Sequence, residues 1–169
     1  MDISSPFLPR NMNNNSLRSG SLLMTLGAVA FIGYGIVFLF RSLYGSGFEL
    51  GVDTLGGLSR DSLAAYNAAL GAYVTHLHVA VSGFIISTGI ATALLSWYGV
   101  RARMWWAYLG AVISPVVALA IALPLHYMGE FEVGFWHLGP IYVAVLVFVV
   151  GVILAFMGLR PQGTPAAAM

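Results

Sequence analysis

Four apolar stretches, each long enough to cross a bilayer, constrain this chain more than any other feature. They run from Leu22 to Phe40, from about Val74 to Trp97, from Trp105 to about His126 and from about His137 to Leu159. A helix needs about 20 apolar residues to span the hydrocarbon core, where water cannot satisfy backbone N–H and C=O groups and the helix must do so itself. Only 8% of the 169 residues are charged and mean hydropathy is +0.88, against about 25% charged in soluble domains. The chain is expected to be all-α: a four-helix transmembrane bundle with both termini cytoplasmic and a short amphipathic helix before the second span.

The flanking residues divide the chain. Residues 1–20, with Asn13-Asn14-Asn15-Ser16, read as a flexible polar tail, residues 21–160 as a single four-helix membrane domain, and residues 161–169 as a second flexible tail. Ala28-Val29-Ala30 resembles a signal-peptide cleavage site, but the apolar run continues for ten residues beyond it. The first stretch is therefore read as an uncleaved helix. Arg41 to Arg60 is a glycine-rich loop, and Asp61 to Tyr73 is the lead-in helix, with Ser59 or Asp61 as its cap. A tight turn is expected over Tyr98 to Arg103. Pro115 and Pro124 interrupt the third helix, and Pro140 is placed in the first turn of the fourth, where a missing N–H costs nothing.

The arginines orient the bundle. With the N-terminus inside, Arg10, Arg18, Arg101, Arg103 and Arg160 are cytoplasmic. Arg41 and Arg60 then lie outside with Glu49, Asp53, Asp61, Glu130 and Glu132. This is the positive-inside pattern. The absence of cysteine excludes disulfides, thiolate metal sites, iron–sulfur clusters and cysteine nucleophiles. A net charge of +1 without a basic run gives nucleic acid no foothold. The lipid bilayer is the first partner, with other membrane subunits or a second copy of the chain as further ones. Stripes of small residues (Gly27, Gly33, Gly35; Gly83, Gly89) read as close helix contacts.

The one constellation with chemical potential is the set of four histidines, His76, His78, His126 and His137, all at the outer ends of helices. His76 and His78 project about 200° apart on a helix, so only one faces the bundle. His78 is chosen because it shares a stripe with Ser82, Gly89, Thr92 and Ser96. The candidate ligands are thus His78, His126 and His137, with Glu130 or Glu132 from the neighbouring loop as carboxylate. Glu49 and Asp53 add further carboxylates from the first loop. Imidazole plus carboxylate suits zinc, copper or iron, and two histidines from different helices suit haem b. The opposed reading makes them interfacial histidines bonded to water, backbone or headgroups.

His78 through Gly83, Ser96-Trp97-Tyr98-Gly99-Val100-Arg101, Trp105-Trp106, Leu125-His126-Tyr127 and His137-Leu138-Gly139-Pro140 carry a resemblance. The stretch from about Ala64 to Leu159 resembles a scattered group of uncharacterised bacterial four-helix integral membrane proteins. The resemblance implies a histidine opening the second helix, another closing the third and another opening the fourth, a pattern that His78, His126 and His137 match. It also implies a bacterial inner (plasma) membrane location, and it brings no assigned activity.

Two functional expectations follow. The favoured one is a non-catalytic accessory or structural component of a membrane complex. The alternative is a metal- or haem b-binding protein that uses the outward histidine cluster for redox or metal handling. The enzymatic reading is left open and leans to no, because no Ser–His–Asp arrangement is legible and no catalytic residue is assigned. No acidic or basic residue lies mid-span to serve a transport path.

Overall fold

In the computed structural model, which describes residues 10–128 and 134–160 with side chains from Asn14 onward, five helices succeed one another. They are α1 (Arg10–Tyr44), α2 (Arg60–Tyr66), α3 (Ala68–Leu94), α4 (Trp105–Tyr127) and α5 (Phe135–Leu159), with a single π turn over Leu95–Val100 extending α3. Among the described residues there is no strand, only two isolated bridges in the loop after α1. The spans containing α1, α3, α4 and α5 are each long and apolar enough to cross a membrane. The protein is an all-α, four-span integral membrane protein.

The first helix corrects the expected tail. It begins at Arg10, and residues 10–20, read from sequence as flexible, are helical. Leu17 is buried, and Arg103 ties the segment down by donating from Nη2 to Asn14 Oδ1 (2.5 Å) and from Nη1 to Gly158 O (2.9 Å). Polar composition near a terminus suggested fraying, but tertiary contacts hold the turns in place. Residues 1–9 and the expected tail at 161–169 lie outside the described residues.

Packing of α1 on α5 is antiparallel and very close. A Cβ added at Gly20 would lie 2.2 Å from Ala155 N, one at Gly151 2.5 Å from Met24 N, and one at Gly158 2.6 Å from Leu17 N. Gly27 faces Phe148 and Ala144 in the same way. Small residues let backbones approach where lipid supplies no hydrophobic drive between helices. On its other side α1 packs against α3, with Gly35 against Ile85 and Ile86, and Gly89 against Ala28 and Ile32. Gly33 and Gly83, expected in the same stripes, meet nothing within 4 Å. Gly83→Ala should therefore leave stability unchanged or raise it by about 0.5–1 kcal/mol, since glycine is costly inside a helix. Detergent-titration unfolding followed by circular dichroism would check this.

Other boundaries shift for local reasons. The lead-in helix stops at Tyr66 rather than Tyr73, because Asn67 has an extended backbone and its Oδ1 accepts from Leu70 N (3.1 Å) to cap α3. Of the two proposed caps for α2, Ser59 is the one used, its Oγ accepting from Ser62 N at 3.1 Å. The turn between α3 and α4 is shorter than expected, confined to residues 101–104 because the π turn carries the helix through Val100, and it closes with Arg103 in the left-handed region (φ 61°). Pro140 is the sixth residue of α5 rather than in its first turn, since the helix starts at Phe135. It therefore removes a helical donor from the Trp136 carbonyl.

α4 meets α5 at both ends. At one end Trp105 and Tyr108 pack on Phe156, and Tyr108 OH reaches Val152 O at 3.4 Å. At the other, Tyr127 and Tyr142 share a hydroxyl hydrogen bond and His126 meets His137. A cavity of about 400 Å³ lies between these ends, bordered by all four long helices.

Candidate metal centre

The loop between α1 and α2 builds one wall of the site. Phe48 and Val52 are buried, and the loop closes on itself through Phe48 N to Val52 O (2.9 Å) and Val52 N to Glu49 O (2.9 Å). Arg60 is buried beneath it, its guanidinium donating to Arg41 O (3.1 Å) and to Gly45 O at the C-terminus of α1. The contact satisfies the Gly45 carbonyl at the helix end and adds a second donor to Arg41 O, which already accepts from Gly45 N. Arg41 is paired with Asp53 at 2.7 Å. Both arginines of the loop are thus engaged by other groups, and Glu49 turns instead toward the helix ends.

Gly51 sets the height of the loop. Its φ of +79° is a left-handed conformation, and an added Cβ would sit 2.9 Å from His137 N and 3.0 Å from Trp136 C. Only glycine combines this backbone with this approach. The loop therefore lies directly on the first turn of α5, with Leu50 O beside Nδ1 of His137.

His137 is buried, 3% exposed. Its Nδ1 lies 2.9 Å from Leu50 O and its Nε2 2.9 Å from His126 Nε2, with Glu49 Oε2 3.4 Å from His137 Nε2. On α4, His126 places Nδ1 3.2 Å from Ala122 O. Carbonyl oxygens only accept, so each Nδ1 carries the proton that it donates to the main chain. In the neutral imidazole each Nε2 then presents a lone pair. Two imidazole lone pairs and a carboxylate oxygen converge on one region, with the three ligand atoms all within 4.8 Å of one another. Such an arrangement of acceptors needs a proton or a cation among them.

The two separations at His137 Nε2, 2.9 Å to His126 Nε2 and 3.4 Å to Glu49 Oε2, suit a metal. Bonds of about 2.0–2.1 Å put two ligands roughly 2.9 Å apart at a right angle and about 3.4 Å apart at the tetrahedral angle. An Nδ1–H held by a backbone carbonyl is the usual support of a metal-bound histidine, fixing the tautomer and aiming Nε2.

The sequence-derived candidates divide. His126 and His137 come together. His78 borders the cavity but is not a member of the three-donor group. Its ring lies between Phe38 (centroids 5.3 Å apart) and Phe48 (6.3 Å). His76 is exposed. Glu130 and Glu132 lie outside the described residues. The carboxylate that the fold supplies is Glu49, which sequence reasoning named only as part of the first loop. The signal for it was Phe48 and Val52, apolar residues flanking a carboxylate and a glycine.

Gly51→Ala should push the loop off α5 and weaken metal binding about 10- to 100-fold, the range seen when supporting contacts of a metal ligand are lost. Helical content should be unchanged. Metal titration beside a circular dichroism spectrum would check both. No family model matches the chain, and neither does any curated protein or solved structure.

Proposed function

We propose that this four-span membrane protein binds a divalent transition metal through Glu49, His126 and His137. The observation that supports the reading is the placement of the ring nitrogens. Both Nδ1 atoms face main-chain carbonyls, so both Nε2 lone pairs turn toward one another and toward the Glu49 carboxylate. A purely structural accessory subunit has no need of three converging acceptors.

Two imidazoles and one carboxylate form a set used for zinc and for non-haem iron. The carboxylate beside both imidazoles favours a single cation over haem b, whose macrocycle would have to occupy the same space. Three protein ligands leave further coordination positions for water or another molecule. A metal-handling or accessory role in the membrane fits that set without requiring catalysis.

The test is a titration of untagged, detergent-purified protein, first stripped with a chelator, with zinc, then with iron(II) and copper(II). One near-stoichiometric site is expected. It should be lost in Glu49→Gln and His126→Gln and kept in His76→Ala and His78→Ala. Because the ligands must be deprotonated, affinity should fall as the solution is acidified. Equal, weak binding by the wild type and Glu49→Gln would sink the proposal and leave a proton shared among the three side chains.

A further inference from the structure

The cavity beside the metal centre has a chemistry of its own. Its walls include Phe31, Phe84, Leu119, Ile141 and Phe148, and its polar lining residues are Tyr34, Glu49, His78, Thr88, Thr92, His126 and His137. From His78 to Thr92 it follows α3 for about 21 Å at 1.5 Å per residue. It is therefore a long apolar slot whose histidines and carboxylate gather at one end.

Two of its polar residues lack partners in the described protein. Thr92 is buried, 3% exposed, and its Oγ1 has no hydrogen-bond partner. His78 Nδ1 is likewise buried without one. Unmet polar groups within a membrane-spanning bundle are costly; these two atoms are closed off beneath the wall of the slot, and the ring atom of His78 left open to a bound molecule is Nε2. A slot of this volume is in the range of small-molecule sites, which are mostly apolar with a few placed polar groups.

The lining also selects the class of ligand. Among the described residues no arginine borders the slot, and the polar end carries a carboxylate. A phosphate headgroup is therefore disfavoured there. A neutral head that hydrogen-bonds is suited to His78, and the Phe38 ring beside His78 suits a flat one. An apolar tail suits the remainder. We propose that the slot binds a lipid-soluble quinone or its hydroquinone, ring toward His78 and isoprenoid tail along α3 and α4. The proposal does not require the metal.

The test uses the full chain in detergent after chelator treatment, titrated with decylubiquinone, beside solvent extraction of the untreated protein to identify copurifying lipids. Ala118 borders the slot from α4 and is exposed to it, so Ala118→Phe should fill the space without disturbing the helix contacts. Saturable binding is expected, weakened at least tenfold in Ala118→Phe and also in His78→Phe, with helical content unchanged and zinc binding by Ala118→Phe retained. Equal binding by the wild type and Ala118→Phe would overturn the proposal, as would extraction of stoichiometric phospholipid that Ala118→Phe excludes. Loss of the zinc site with quinone binding intact would count against the metal reading alone.

Discussion

Replacing His137 by alanine is expected to remove metal binding, lowering affinity by more than about 100-fold, and to loosen the loop that carries Glu49. The first effect follows from deleting one of three ligands, a larger change than losing a supporting contact, which costs about 10- to 100-fold. The second follows from the other ring nitrogen. His137 Nδ1 donates to Leu50 O at 2.9 Å from a buried position. Truncation leaves that carbonyl without its donor, at a cost of about 1–3 kcal/mol.

Two further variants separate the effects. His137→Asn keeps a donor near the position of Nδ1 while deleting Nε2, so it should retain stability and still lose the metal. In His126→Ala the Ala122 carbonyl keeps its helical partner, so stability should change little while metal binding is again lost. Zinc titration and unfolding curves on the three variants would check the scheme. Full zinc affinity in His137→Asn would remove this residue from the ligand set.

The second large effect lies in the α1–α5 contact. Gly151→Leu should destabilise the protein by about 3 kcal/mol or more, at or beyond the upper end of overpacking costs. A Cβ at this position would stand 2.5 Å from Met24 N and 2.9 Å from Gly20 O, both backbone atoms that no rotamer change can move. The helices would have to separate, and the neighbouring contacts of Gly20 with Ala155 and of Gly158 with Leu17 would open with them. The contrast is Gly83, where a methyl group meets nothing within 4 Å. Titration with denaturing detergent, followed by helical content and by protease sensitivity, distinguishes the two. Unfolding of Gly151→Leu at the wild-type midpoint would show that this contact does not hold the bundle together.

The spans were legible in the sequence because each satisfies its backbone locally and needs only length and apolarity to be recognised. Their ends were less so. Arg10–Gly20 looks polar in isolation and is helical because Leu17, Gly20 and Arg103 engage α5. The early start of α5, which moves Pro140 out of the first turn, has no strong local cap. Its preceding residue Gly134 makes no side-chain bond. Among the glycines, spacing alone could not separate Gly151, which has a backbone against it, from Gly33, which has open space.

The candidate site divides in the same way. His126 and His137 are brought together by the short connection between α4 and α5, and a short connection is visible in a sequence. Glu49 is not, since it reaches His137 across 88 positions of chain. The choice of carboxylate by nearness in sequence favoured Glu130 and Glu132, whereas the described structure brings Glu49 to the histidines. It does so because Phe48 and Val52 bury themselves and Gly51 lets the loop settle on α5.

By itself, then, the sequence determined the four spans, the absence of thiol chemistry and the gathering of histidines toward one end of the bundle, since hydropathy and residue type act over short stretches. The tertiary structure alone decided which ring nitrogens converge, which carboxylate joins them, that His78 borders a slot instead, and which glycines bear helix contacts. Those outcomes depend on ångström-scale approaches between segments far apart in the chain, and no local pattern encodes them.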